Sequence, residues 1–257
     1  TDPVQVAHNA TAQPVCLDGG PAGYYLDMGD DPTRWVIWLA GGGVCADLSE
    51  CQYRAKGGLG SSKEWPSRRT ADKYHGGDEI LYNGEDDNPA FSSWSKVYIP
   101  YCSGDAWLGS QQGEFDPWAQ NRGVGGTHFA GHAILVAVMK ELMKEPLRID
   151  TAKTVVLSGT SHGAYGTFMH VDWLQQLLPS VDVRGNPQGG WFGAPISNWI
   201  NFFQRSTDHD PTQFHVTSWI FNLDNYFVPP QVAECLADAE HGAIALPEGF
   251  AAYYPVS

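Results

Sequence analysis

The stretch Lys153 to Gly166, KTVVLSGTSHGAYG, decides the fold, because it runs an apolar β-segment into Gly-Xaa-Ser-Xaa-Gly and then into a helical pattern. Val155, Val156 and Leu157 supply the strand. The segment from about His162 to Leu178 has no proline before Pro179, and it carries Phe168, Met169, Leu174, Leu177 and Leu178 at helix-compatible spacings. Strand, serine and helix in that order place Ser161 on a nucleophile elbow. Gly159 and Gly163 flank it, and a side chain at either position would clash with the adjoining strand or helix. The helix start below the serine brings backbone N–H donors and the positive end of a dipole.

Working outward, four strands are predicted: Gly23 to Met28, Trp35 to Leu39, Val97 to Tyr101, and Thr154 to Leu157. A helix is predicted from an N-cap at Thr127 to about Lys144, with Ile134, Leu135, Val138 and Leu142 as its apolar stripe. Strands alternating with helices predict one α/β domain, 1–257, with a mainly parallel sheet flanked by helices. Ligands collect at the carboxyl ends of such strands. Three loops should meet there: Ala40 to Cys51, Cys102 to Gln112, and the elbow. Gly57 to Asp87 reads as a long excursion with fragments of secondary structure. Trp199, Phe202, Phe203, Trp219, Phe221 and Tyr226 are irregularly spaced and fit either a cap over the cleft or ordinary helix packing.

Composition narrows the function. With 257 residues and 42% hydrophobic content, the chain can bury a large core. A net charge of −14 argues against nucleic-acid phosphate as a partner. No apolar run reaches the ~18 residues that a membrane span needs. TDPVQVAHNA has neither the basic head nor the apolar core of a secretory leader. Among five cysteines there is no C-x-x-C pair and no Cys/His spacing that looks like a zinc site, and no cofactor is expected. Cys45 and Cys51 enclose the short loop ADLSE, which suits a local disulfide in an oxidising compartment and two independent buried thiols in a reducing one. Asn9-Ala10-Thr11 is a glycosylation sequon and favours secretion.

Five ordered blocks carry a resemblance: PVCLDGGPAGYYL, WLAGGGVCADLSEC, NPAFSSWSKVYIPYCSGDAW, VVLSGTSHGAYG and GGWFG. Over about Pro14 to Phe192 the chain resembles the pectin acetylesterase and Notum carboxylesterase family. The resemblance implies an α/β-hydrolase fold, secretion, no metal, and a Ser, Asp, His triad in that chain order. It implies removal of acetyl groups from pectin or of a fatty acyl group from a signalling protein. It puts Ser161 on the nucleophile and Gly42 and Gly43 on the oxyanion loop, with the His162 N–H as the other donor. It pairs Cys45 with Cys51 and Cys16 with Cys102, leaving Cys235 without a partner.

This chain departs from the family in having Val44 where Trp is usual and His162 where Ala is usual. The His162 side chain, next to the serine at a helix start, is expected to point away from the hydroxyl and not to act as the base. After the elbow, Asp208, Asp210, Asp224 and Asp238 occur with His209, His215 and His241, none behind a recognisable strand. Asp210 with His215 and Asp224 with His241 are the ordered pairs available. Tyr254 to Val256 resembles the part just before the family's Asp strand. The acid and base are therefore expected beyond Ser257, the fold to lack its C-terminal part, and residues 1–257 alone to be inert and, unless a further segment or partner covers the open sheet edge, poorly soluble.

The leading expectation is an extracellular serine carboxylesterase acting on an O-acyl ester of a polysaccharide or glycoprotein. The competing one is a non-catalytic member of the same fold, acting as a binding or structural component of an extracellular assembly. A peptidase or thioesterase on the same scaffold is the third class.

Overall fold

In the computed structural model, the described residues are 3–5, 13–45, 48–69, 79–110 and 128–190. The sequon at Asn9, Thr127, Cys235 and every Asp and His candidate after residue 200 lie outside them. Six strands form one sheet: β1 (Pro3–Gln5), β2 (Gly23–Asp27), β3 (Asp31–Leu39), β4 (Trp94–Ile99), β5 (Thr154–Thr160) and β6 (Asp182–Gln188). Three helices accompany them: α1 (Leu48–Arg54), α2 (Gly131–Leu142) and α3 (His162–Leu177). The strand order is β1-β2-β4-β3-β5-β6. β3 to β6 run parallel, and β1 and β2 add an antiparallel edge. The expected mainly parallel sheet flanked by helices is therefore present.

The alternating side chains of β3 and β5 explain their unbroken apolar reading. Trp35, Ile37, Leu39, Val155 and Leu157 face a core completed by Ile134, Leu135, Val138 and Leu142 of α2 and by Leu174 of α3. Val36, Trp38 and Val156 face the opposite core, with Ile80, Leu81 and Trp94. Strands buried on both sides have no polar face to alternate with the apolar one. The 3-10 turn Glu79–Leu81 is the described fragment of structure in the long 57–87 excursion that reaches this second core.

The structure departs from the sequence reading at several elements. β3 begins at Asp31 instead of Trp35. β4 begins at Trp94 and ends at Ile99, earlier than expected, because Trp94, Ser95 and Lys96 are also buried strand positions. β6, DVRGNPQ, has no apolar run, and its pairing with β5 is what makes it a strand. α2 begins at Gly131, four residues beyond the proposed cap at Thr127, and its N-cap Ala130 makes no side-chain cap bond. Its first donors find partners elsewhere: the Gly131 N–H donates to the Asp105 carboxylate at 2.7 Å and the His132 N–H to the Gly109 carbonyl at 2.9 Å. A carboxylate at a helix N-terminus satisfies orphan donors and the dipole together, whichever part of the chain supplies it.

α2 and α3 also meet through a histidine pair. His170 Nδ1 lies 2.8 Å from the Gly166 carbonyl, so that nitrogen carries the proton, and His170 Nε2 accepts from His132 Nδ1 at 3.0 Å. The rings stack with Trp173 edge-on, and burial holds both imidazoles well below the usual histidine range.

Candidate active site

The parallel register brings Leu39, Ile99 and Gly159 to one level, so the chain leaves β3, β4 and β5 at the same sheet edge. Ser161 follows β5 directly and precedes α3. Its backbone has φ 54 and ψ −122, a conformation that an L-residue enters only under strain, of about 1–3 kcal/mol. The strain is held from both sides. The Ser161 N–H donates to the Gln188 carbonyl at 3.1 Å, and its carbonyl accepts from the Ala164 and Tyr165 N–H groups at 3.0 and 3.2 Å. Both flanking glycines are sterically required. A Cβ on Gly159 would sit 2.6 Å from the Gly163 and Leu39 carbonyl oxygens, and one on Gly163 would overlap the Leu39 carbonyl.

The glycine loop after β3 lies against this elbow. A Cβ on Gly41 would meet the Thr160 carbonyl at 2.6 Å and Ser161 Cβ at 3.0 Å, so main chain passes beside the serine where no side chain fits. Gly42 faces the Tyr101 ring and Leu59, and Gly43 has φ +74, the left-handed region that glycine tolerates. The Gly42 carbonyl accepts from Arg54 Nη1 at 2.5 Å. Among the described residues, no acceptor faces the Gly42 or Gly43 N–H.

The loop after β4 buttresses the same region. Val44 forms an isolated antiparallel bridge with Asp105, and the Trp107 indole N–H donates to the Ala40 carbonyl at 3.0 Å. Tyr101 Oη accepts from the Ala106 N–H at 2.7 Å. Asp105 is fully buried and organises the turn with four bonds: from Ser103 Oγ (2.5 Å) and Trp107 N–H (3.0 Å) on one oxygen, and from Gly109 N–H (3.0 Å) and Gly131 N–H (2.7 Å) on the other. Burial pushes this carboxyl up, while the four donors pull it down. Ala106 and Trp107, at φ 56 and 71, are strained non-glycine positions held by this knot. The three predicted loops thus meet.

Both disulfides sit here. Cys16 is bonded to Cys102 and Cys45 to Cys51. The first ties the segment before β2 to the loop after β4, and the second anchors α1 beside the glycine loop.

The His162 side chain corrects an expectation. Its Nδ1 lies 3.5 Å from Ser161 Oγ, facing the hydroxyl instead of turning away. Neighbouring side chains diverge when both residues are helical, but Ser161 is outside the helix with positive φ, so that rule does not govern the pair. Burial first and the Arg54 charge second hold the His162 imidazole below its usual range. A base must become cationic, and a partly buried imidazolium beside Arg54 is disfavoured. Proximity alone does not assign His162 as the base. Among the described residues, no group of three or more His, Cys, Asp or Glu side chains could hold a metal, and no helix is long and apolar enough to cross a membrane.

Sequence reasoning located Ser161, Gly42, Gly43 and His162, and the structure places all four at one sheet edge. It did not single out Arg54 or Asp105 for a role. Asp105 had a signal, since an Asp directly after Ser103-Gly104 in a post-strand loop is a turn organiser. Arg54 had none, because its partner carbonyl lies 12 residues away across a disulfide loop.

The chain is similar to known proteins over more than two thirds of its length. It is 36% identical over 192 residues to the palmitoleoyl-protein carboxylesterase notum1' of Xenopus laevis, covering 72% of this chain and 36% of that protein. It is 35% identical over 186 residues to the palmitoleoyl-protein carboxylesterase NOTUM of Homo sapiens, covering 69% and 34%. Pectin acetylesterase 4 of Arabidopsis thaliana is 30% identical over 195 residues, covering 69% and 44%. Among solved structures, the Wnt deacylase Notum from Drosophila superposes with a TM-score of 0.61 at 28% identity, covering 72% of this chain and 51% of that one. The shared architecture is α/β-hydrolase-like. The chain spans about a third of the length of the Notum relatives from frog and human that it matches. The Pectinacetylesterase family profile matches residues 2–208, so the chain belongs to the pectin acetylesterase family.

Proposed function

We propose that the protein is a serine carboxylesterase that removes an O-acyl group, acetyl or longer, from a polysaccharide or glycoprotein outside the cell. The observation that carries this is the strained Ser161 elbow packed against a side-chain-free glycine loop. A binding module gains nothing from either feature, whereas acyl transfer uses both. The elbow lifts the hydroxyl clear of strand and helix, and the glycines let main-chain N–H groups reach the substrate carbonyl. The two disulfides support an oxidising compartment.

In this reading Ser161 Oγ attacks the acyl carbon, and its proton passes to a histidine supplied after α3 and oriented by a carboxylate. Charge builds on the carbonyl oxygen, where the Gly42, Gly43 and His162 N–H groups donate to it. Each such donor is worth about 3–4 kcal/mol in the transition state. The alcohol leaves with the histidine proton, and water then releases the acid by the same route. Neither metal nor organic cofactor enters.

The test is a fluorophosphonate probe and p-nitrophenyl acetate and octanoate with the full-length natural protein. Labelling should fall on Ser161, and Ser161→Ala should abolish labelling and lower turnover by about a millionfold. Hydrolysis that persists in Ser161→Ala would show that the nucleophile is elsewhere.

A further inference from the structure

Three consecutive glycines let the chain approach a substrate, but they leave the peptide planes of that loop without side chains to fix them. A rotated plane would present a carbonyl oxygen, rather than an N–H, to the developing oxyanion. Something outside the loop must select the orientation. The guanidinium of Arg54 is the described group that bonds to a carbonyl within Gly41 to Gly43, through Nη1 and the Gly42 oxygen at 2.5 Å. Resting on the esterase reading above, we propose that Arg54 is a positioning residue for the oxyanion site. By holding the Gly42 carbonyl, it turns the N–H of the same peptide, that of Gly43, to the opposite side.

The assignment follows from covalent geometry. In a trans peptide the C=O and N–H point in opposite directions, so fixing one fixes the other. Arg54 can serve as a fixed point because its own fork is occupied: Nε and Nη2 both donate to Glu50 Oε1, at 3.1 and 2.9 Å. Its side chain is only 16% exposed. A guanidinium bonded on two edges keeps its plane, which an ammonium on a flexible stem does not. The helix that carries both residues is held by the Cys45–Cys51 disulfide, and the Cys45 N–H donates to the Gly104 carbonyl at 3.1 Å. The approach also needs Gly43, since a Cβ there would meet Arg54 Nη2 at 3.1 Å on a backbone with φ +74. Disulfide, helix, ion pair and guanidinium thus form one chain of contacts ending on the oxyanion peptide.

Arg54→Gln and Arg54→Lys in the full-length protein test this, with p-nitrophenyl acetate as substrate and phenylboronic acid as a probe that forms a tetrahedral anionic adduct with the serine. Arg54→Gln should lower kcat about 10- to 100-fold with KM within threefold, and should weaken boronate binding by a similar factor, since the loss falls on the tetrahedral oxyanion. Arg54→Lys should recover part of both, because a point charge reaches the carbonyl without the second anchor. A drop in melting temperature with kcat and boronate affinity unchanged would overturn the proposal. Should Arg54→Gln not fold, Glu50→Gln decides: a severalfold loss in kcat supports the clamp, and no loss overturns it. If the wild type shows no Ser161-dependent hydrolysis, the esterase reading falls, yet the clamp is still judged by a crystal structure of Arg54→Gln. A reoriented Gly42–Gly43 peptide supports it, and an unchanged one refutes it.

Discussion

Asp105→Asn is an isosteric change, and the structure allows its consequence to be worked out bond by bond. One oxygen accepts from the N–H groups of Gly109 and Gly131, and the other from the Ser103 hydroxyl and the Trp107 N–H. An asparagine must put its NH2 at one of these places. Facing Gly109 and Gly131, it would set a donor against two donors that cannot turn. Facing Ser103 and Trp107 is cheaper, because the hydroxyl can rotate to accept and only the Trp107 N–H loses its partner. That orphan costs about 1–3 kcal/mol, and two charge-assisted bonds become neutral ones at a loss of about 1 kcal/mol each, so the total is about 3–5 kcal/mol. For a chain of this size that corresponds to a melting temperature roughly 10 °C lower. Thermal and urea unfolding of wild type and variant measure it, with fluorophosphonate labelling of Ser161 as a second readout, because the knot carries Trp107 and its bond to Ala40. A loss under about 1 kcal/mol would refute the inference that this carboxylate holds the loop after β4 and caps α2.

Gly163→Ala should cost about 2–3 kcal/mol and suppress labelling of Ser161, since the new Cβ overlaps the Leu39 carbonyl; urea titration showing wild-type stability would contradict the packing. Replacing Cys16 and Cys102 by Ala should cost about 4.6 kcal/mol for a sequence separation of 86, and replacing Cys45 and Cys51 about 2.4 kcal/mol for a separation of 6. Calorimetry in which the local bridge proves the more stabilising would refute the loop-entropy account. The His132–His170 pair should make the fold acid-sensitive. Both folded-state pKa values lie below the unfolded value of ~6.5, so the pair's stability is fully present above it and is lost as pH falls, by up to ~1.4 kcal/mol per pH unit for each site. Urea midpoints between pH 7.5 and 4.5 should fall more steeply for wild type than for His170→Gln, and equal slopes would show that the pair does not titrate in this way.

The sequence by itself determined the elements whose cause is local. Gly159 and Gly163 around Ser161 declare a backbone too crowded for a Cβ, and the same crowding forces the elbow, so motif and geometry are one constraint read twice. Strands alternating with helices announced a mainly parallel sheet and the edge where the loops meet, and the apolar runs of β3 and β5 are covered on both faces. The five residues between Cys45 and Cys51 made their bridge readable as a local possibility. Only the tertiary structure decided which side chain meets which main chain across the site. Arg54 reaches Gly42 over 12 residues, Asp105 reaches the start of α2 over 26, His132 finds His170 over 38, and Trp107 reaches Ala40 over 67. Periodicity encodes which face of an element is buried, but a polar partner is chosen by the docking of whole elements. Hence β6, a strand only because β5 pairs with it, and the turn of His162 toward Ser161, set by one positive φ outside the helix, were both invisible until the chain was folded.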